Sequence, residues 1–257
     1  MAVLEIRELT VRFGGRVALD GVTMSAERGR ITGLIGPNGA GKTTLFNAVT
    51  GMLRPDDGTV ELNGNDLARC PSYRRARAGI ARTFQRLELF GSLTVRENLR
   101  LAAGVHRRHA HDPEPAVGVA DRIIEQLQLT SVAEIRADTL PTGQGRLVEL
   151  GRALASKPSV LLLDEPASGQ DERETSNLAV VLRELADDGL AVLLVEHDMS
   201  LVMRVCDDLW VLDFGQLIAS GTPSEIRTNQ RVLAGYLGQT NQQPNASPST
   251  RSSKESS

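Results

Sequence analysis

The sequence predicts an α/β fold with a mainly parallel core sheet, and three stretches carry that expectation. The apolar run 31–35 reads as a buried strand. It feeds G-P-N-G-A-G-K-T-T (residues 36–44), which opens a helix marked by Leu45, Phe46, Ala48 and Val49 at helical spacing. Residues 160–163 are nearly all apolar, as in a strand covered on both faces, and stop at Asp164-Glu165-Pro166. Residues 190–195 form a second such run and end on Glu196-His197-Asp198.

The glycine-rich stretch fits the spacing G-x-x-x-x-G-K-[ST], with Gly36, Gly41, Lys42 and Thr43 at its defining positions and Pro37, Asn38, Gly39, Ala40 and Thr44 completing the loop. Glycines there let successive backbone N–H groups turn inward around phosphate oxygens, where a side chain would collide. The helix that follows adds the positive end of its dipole at the same point. Lys42 can reach β- and γ-phosphates as a point charge, and the Thr43 hydroxyl can ligate Mg²⁺. A nucleoside triphosphate is the ligand these residues imply. Carboxylates at the C-terminal tip of a central strand sit where open α/β sheets hold ligands. Asp164 is placed to hold Mg²⁺ through water, and Glu165 to accept a proton from an attacking water. His197 ends a strand on the same edge, where it can bond the γ-phosphate or water.

Before the loop, residues 3–13 alternate in part as an antiparallel strand does, Gly14-Gly15 turns the chain, and residues 17–24 return. Phe13, beside that turn, is either a core aromatic or a platform for an adenine ring. Beyond the loop, Pro55 and Gly58 mark a turn, residues 59–62 a short strand and Asn63-Gly64 a second turn. Arg69, Arg74, Arg75, Arg77, Arg82 and Arg86 form a cluster that reads as a solvated helix face, with a docking surface as the alternative. Residues 80–85 read as a strand ending on Gln85. Residues 94–140 turn helical, and H-R-R-H-A-H-D-P-E-P within them reads as a polar surface loop, so no histidine is assigned to a metal. A helix is expected over 146–155, further helices over 171–185 and 199–206, and a strand over 209–212. Phe214-Gly215-Gln216 should make a hairpin turn, and a last helix should follow Thr222-Pro223-Ser224. Residues 240–257, rich in Ser, Asn, Gln and Pro, read as a disordered tail.

Composition bounds the function. A chain of 257 residues with 40% hydrophobic and 24% charged residues can bury a sizeable core. A net charge of -3 gives no global drive toward nucleic acid or anionic lipid. Cys70 and Cys206 make no metal or redox spacing and fit a reducing compartment. The N-terminus is not a signal peptide, and no apolar run approaches the ~20 residues needed to cross a bilayer. Any membrane role therefore falls to a partner.

Taken in order, the phosphate loop, Gln85 after a strand, L-P-T-G-Q, L-L-L-D-E-P, S-G-Q-D and the strand ending in His197 resemble the motifs of ATP-binding-cassette (ABC) ATPases over about residues 3–238. That resemblance implies a P-loop NTPase fold over 1–239, with an N-terminal antiparallel β-subdomain and a helical subdomain at about 86–156. It implies that Phe13 stacks on adenine and that Gly36 to Thr44 hold the phosphates. Gln85 would contact Mg²⁺ or water and relay to the membrane partner. Glu165 would be the general base, Asp171 would couple the sites of a dimer, and His197 would contact the γ-phosphate. Thr142, Gly143 and Gln144, in the signature segment, would close on the ATP of a second ABC ATPase subunit. More narrowly, A-R-T-F-Q-R-L-E-L-F-G-S-L-T-V-R-E-N-L and the residues from V-C-D-D-L-W to V-L-A-G-Y-L-G are similar to the ATPase subunits of branched-chain amino-acid importers. Implied partners are transmembrane permease subunits and, indirectly, a periplasmic or extracellular solute-binding protein. The implied location is the cytoplasmic face of the membrane, with no nucleic acid partner. Urea or amide uptake, lipopolysaccharide export and a soluble role on nucleic acid or ribosomes are the alternatives, and the last usually brings two cassettes or basic insertions. Pro141 stands where the family usually has Ser, and Gln170 where it usually has an apolar residue.

Overall fold

The computed structural model describes residues 2–233; the tail expected over 240–257 lies outside the described residues. Strands β1 (Ala2–Phe13) and β2 (Arg16–Glu27) form an antiparallel hairpin about the Gly14-Gly15 turn, with one face of each buried. Next come β3 (Ile31–Ile35), α1 (Lys42–Val49), β4 (Asp57–Leu62), β5 (Asn65–Asp66), α2 (Ser72–Ala78) and β6 (Ile80–Arg82). Helices α3 (Val95–Ala110), α4 (Ala116–Gln126) and α5 (Thr142–Leu154) follow. The chain then alternates through β7 (Val160–Asp164), α6 (Glu172–Asp187), β8 (Ala191–Val195), α7 (Met199–Val205), β9 (Asp208–Asp213), β10 (Gln216–Gly221) and α8 (Pro223–Thr228).

Two sheets result. Strands in the order β2-β1-β4-β5 form an antiparallel sheet, and β10-β9-β3-β8-β7-β6 form the core sheet. Within the latter, β9, β3, β8, β7 and β6 run parallel, and β10 adds an antiparallel edge. Every residue of β3, β7 and β8 is buried, as the unbroken apolar runs require. Leu34 pairs with Val195, and Val195 with Asp164, so three strands finish in step at one edge of the sheet. Whatever follows Ile35, Asp164 and Val195 is therefore collected there.

Local sequence fixes the helix starts. Thr94 with Glu97, Asp171 with Glu174 and Thr222 with Glu225 each form a reciprocal capping box, and Asp198 accepts from the N–H groups of Ser200 and Leu201. Four expectations need correction. The histidine-rich stretch is not a loop up to its prolines, because α3 continues through His106 and His109 and ends at His111, in left-handed conformation at φ 54°. Helix propensity runs on unbroken there until Pro113. Strand β6 stops at Arg82 rather than Gln85, because the Phe84 N–H donates to Glu149 Oε1 (3.4 Å) and the Phe84 carbonyl accepts from Arg146 Nη1 (2.7 Å) on α5. Helix α5 begins at Thr142, its first turn closed by the Gly145 N–H on the Pro141 carbonyl (3.0 Å).

The arginine cluster, lastly, is not a uniformly solvated face. Arg75 is 3% exposed and donates through Nη1 to the carbonyls of Ala48 (2.8 Å) and Val49 (2.9 Å), with Nε on the Cys70 carbonyl (2.9 Å). A buried guanidinium thus satisfies the carbonyls at the end of α1, the helix that carries the phosphate loop. Replacing it strands those acceptors. Arg75→Ala is expected to lower the unfolding free energy by about 2 kcal/mol, with Arg75→Lys recovering only part because it lacks the planar fork. Urea midpoints at constant m-value measure both.

Candidate active site

The turn from β3 into α1 is built around glycines that leave no alternative. Gly41 caps α1 at φ 113°, and a Cβ there would lie 2.7 Å from the Ala18 carbonyl oxygen. At Gly36 (φ 154°) a Cβ would fall 2.0 Å from the Leu212 carbonyl oxygen. No side chain caps α1, so the N–H groups of its first turn are left for a ligand. They face a cleft of about 540 Å³. Asn38, Gly39, Gly41, Lys42, Thr43 and Thr44 line its floor, with Phe13, Arg16, Val17 and Ala18 on the side of the antiparallel sheet. Gln85, Glu165, Val195 and His197 close the end by the strand tips, and Phe214 and Gly215 come from the β9–β10 turn. Gly36, Pro37 and Ala40 belong to the same loop but stand behind this lining. Ala40 is buried, its carbonyl accepting from the Gly215 N–H (2.9 Å). Such a row of amides beside a cation fits a triphosphate.

Lys42 is buried and donates to the Gly36 (2.6 Å) and Pro37 (3.0 Å) carbonyls. Burial lowers its pKa, opposed by the negative charges of Glu165 and Asp164. The two neighbouring acids differ sharply. Asp164 is 2% exposed, and its Oδ2 accepts from Arg82 Nη2 (2.8 Å). Arg82 also donates to Asn47 Oδ1 (2.6 Å) and lies over the Phe46 and Phe84 rings. Glu165 adopts the left-handed φ of 51°, with its N–H on the Val195 carbonyl (2.9 Å). That twist aims its carboxylate into the cleft, where Oε1 accepts from Gln85 Nε2 (3.0 Å) and lies 2.9 Å from His197 Nε2. A carboxylate poised beside an amide, an imidazole and a lysine can deprotonate water at a phosphoryl group.

Thr142, Gly143, Gln144 and Asp171 do not line this cleft. Asp171 caps α6, its Oδ1 accepting the Glu174 N–H (2.7 Å), and Gly143 packs on the Glu174 carboxylate. These four stand instead at the starts of α5 and α6. Three residues to which the sequence reading assigns no part in the site support it, and Arg82, read there as part of a solvated helix face, instead has its side chain buried at the end of β6. Arg82 pairs with Asp164. Glu196 is buried and accepts from the Ala167 (2.7 Å) and His197 (3.0 Å) N–H groups, burial pushing its pKa up. Arg146 donates to the Phe84 and Gln85 carbonyls, gripping the segment that presents Gln85. An arginine at the end of a buried strand was the available signal for the first. No local pattern marks the other two.

Residues 19–168, more than half of the chain, match the ABC transporter family. The chain belongs to that family. Its cassette is an ATPase subunit of a transporter, and residues 216–240 also match the branched-chain amino acid ATP-binding cassette transporter family. It is 39% identical over 250 residues to the high-affinity branched-chain amino acid transport ATP-binding protein BraF of Pseudomonas aeruginosa, covering 92% of this chain and 98% of that protein. The Escherichia coli protein LivG, of the same description, is 38% identical with the same coverage. The lipopolysaccharide export ATP-binding protein LptB of Haemophilus influenzae is 34% identical over 239 residues, covering 93% and 98%. Among solved structures, the ADP conformation of an ABC-transporter cassette superposes with a TM-score of 0.82 at 31% identity, covering 93% and 99%. A nucleotide-free cassette gives 0.82 at 31% identity, covering 92% and 99%.

Two substitutions distinguish a base from a phosphate anchor. Glu165→Gln keeps a neutral group between Gln85 and His197 and should retain ATP while turnover falls by about 10²–10⁴-fold. Lys42→Ala should lose ATP binding itself. Equilibrium binding and phosphate release in the assembled transporter check both, and full turnover of the Gln variant would remove Glu165 from the chemistry.

Proposed function

We propose that this cassette hydrolyses ATP to power uptake of branched-chain or other amino acids. The observation that carries the hydrolytic part is the Glu165 carboxylate held between Gln85 and His197 beside Lys42. Its amino-acid part is supported by the match over residues 216–240 and by the likeness to BraF and LivG. Lipopolysaccharide export is the second reading, on the likeness to LptB.

In the proposed mechanism Phe13 stacks on adenine and the amides of residues 36–44 take the phosphates. Lys42 exchanges the Gly36 and Pro37 carbonyls for β- and γ-phosphate oxygens. Glu165 accepts the proton of the attacking water, and His197 holds the γ-phosphate. Thr43 and Gln85 line the cleft with hard oxygen donors suited to Mg²⁺, and Asp164, buried and paired with Arg82, would hold it through water; the ion would neutralise phosphate charge. The ATPase domain is taken as 1–239, with a helical subdomain at about 86–156.

Two surfaces suit the partners. Thr142, Gly143, Gln144 and Asp171 lie outside their own cleft and suit a head-to-tail pairing in which they complete the site of a second ATPase subunit. A groove between α2, α3 and α5, lined by Tyr73, Phe84, Phe90, Leu101, Val105 and Arg152, suits a cytoplasmic segment of a permease. Tyr73, Phe90, Leu101 and Val105 are exposed there and offer a partner apolar side chains to cover. No helix among the described residues is long and apolar enough to cross a membrane. The cytoplasmic face of the membrane is the proposed location, on the likeness to transporter ATPases.

Pro141 occupies the N-cap of α5 without capping it. A serine there would accept a first-turn N–H and leave a hydroxyl for a γ-phosphate across the dimer. The site that this segment completes is accordingly weak, and the partner ATPase is non-identical with an intact serine. Pro141→Ser should raise ATP turnover of the reconstituted complex up to tens-fold; an unchanged rate would count against this asymmetry. Stimulation of that turnover by leucine, isoleucine or valine with the solute-binding protein tests the substrate class.

A further inference from the structure

The β9–β10 turn places an aromatic ring where the fold has no use for one. Phe214 is 87% exposed, lies outside the apolar core, and sits at φ 42°, a conformation a bulky side chain rarely takes. An exposed ring contributes almost nothing to folding, and the backbone strain works against it. Yet the turn is pinned. The Gly215 N–H donates to the Ala40 carbonyl (2.9 Å) of the phosphate loop, and the Gly215 carbonyl accepts the Asp20 N–H (2.9 Å) of β2. At Gly215 (φ 80°) a Cβ would press within 2.7 Å of the Ala18 carbonyl oxygen, so the turn lies directly against the wall of the cleft. Phe214 and Phe13, itself 53% exposed, line the same cleft from two different strand turns. Around them come Arg16, Val17 and Ala18, and of these Arg16 alone carries a charge.

We propose that Phe214 is a second wall of the base site, closing with Phe13 on the two faces of the nucleobase. The inference rests on the reading of this cleft as the ATP site and adds a residue to it. An aromatic face gains by covering any base, so the clamp supplies affinity without demanding adenine. Because the turn is bonded to Ala40, the ring and the phosphate cradle are held at a fixed spacing.

The test uses the full chain and two probes, ATP and inorganic tripolyphosphate. Phe214→Gly removes the ring and relieves the positive φ. It should weaken ATP binding about tenfold, leave tripolyphosphate binding unchanged, and leave the melting temperature equal or higher. Phe214→Trp, in a Trp210→Phe background that removes the single native tryptophan, should keep ATP affinity and show fluorescence quenched by ATP but not by tripolyphosphate. Unchanged ATP affinity in the glycine variant overturns the clamp. Equal losses for both probes also overturn it, because the turn would then act only by holding the phosphate loop. Failure of the unaltered chain to bind either probe would instead sink the reading of the cleft.

Discussion

Parallel pairing in step is the constraint on which the site depends. Because Leu34, Val195 and Asp164 lie across from one another, the glycine loop, the acidic pair and His197 emerge at the same level of the sheet. None of these segments is near another in sequence. Their meeting is a property of strand register, set by the pairing of β3 with β8 and of β8 with β7. A slip of one residue would turn each strand's side chains to the opposite face and pull the tips apart.

Upon that frame, burial divides the labour of adjacent acids. Asp164 is sealed in and neutralised by Arg82, which two phenylalanine rings cover. Removing either partner would leave a buried charge, a situation worth several kcal/mol in general. Glu165, one residue on, is turned by its left-handed backbone into the open cleft. The change of direction comes from the backbone, since the strand has ended and the Glu165 N–H still reaches across to Val195. Two chemically similar residues thus acquire different environments from a single dihedral.

The strands and the loop were legible because their signals are local: unbroken apolar runs, a fixed glycine spacing, a threonine cap before α8. The α/β architecture followed from those runs alone. What escaped was long-range. Nothing near Arg75 in sequence announces that it would terminate a helix ending at Val49, and the Arg146–Phe84 bond joins residues 62 apart. Strand β6 was read three residues too long for the same reason, since a competing acceptor on α5 draws the chain away. Phe214 was visible as a turn residue, but its exposure and its conformation are facts of three dimensions.

The grip of α5 on the segment before it has a mechanical reading. Arg146 and Glu149 hold the backbone of Phe84 and Gln85, and Gln85 in turn touches Glu165. The same helix begins at Thr142, which is exposed and outside the lining of the cleft. Arg146 stands about one helical turn after Thr142, so the start of α5 and the segment that presents Gln85 belong to one hydrogen-bonded unit, joined across 61 positions of sequence.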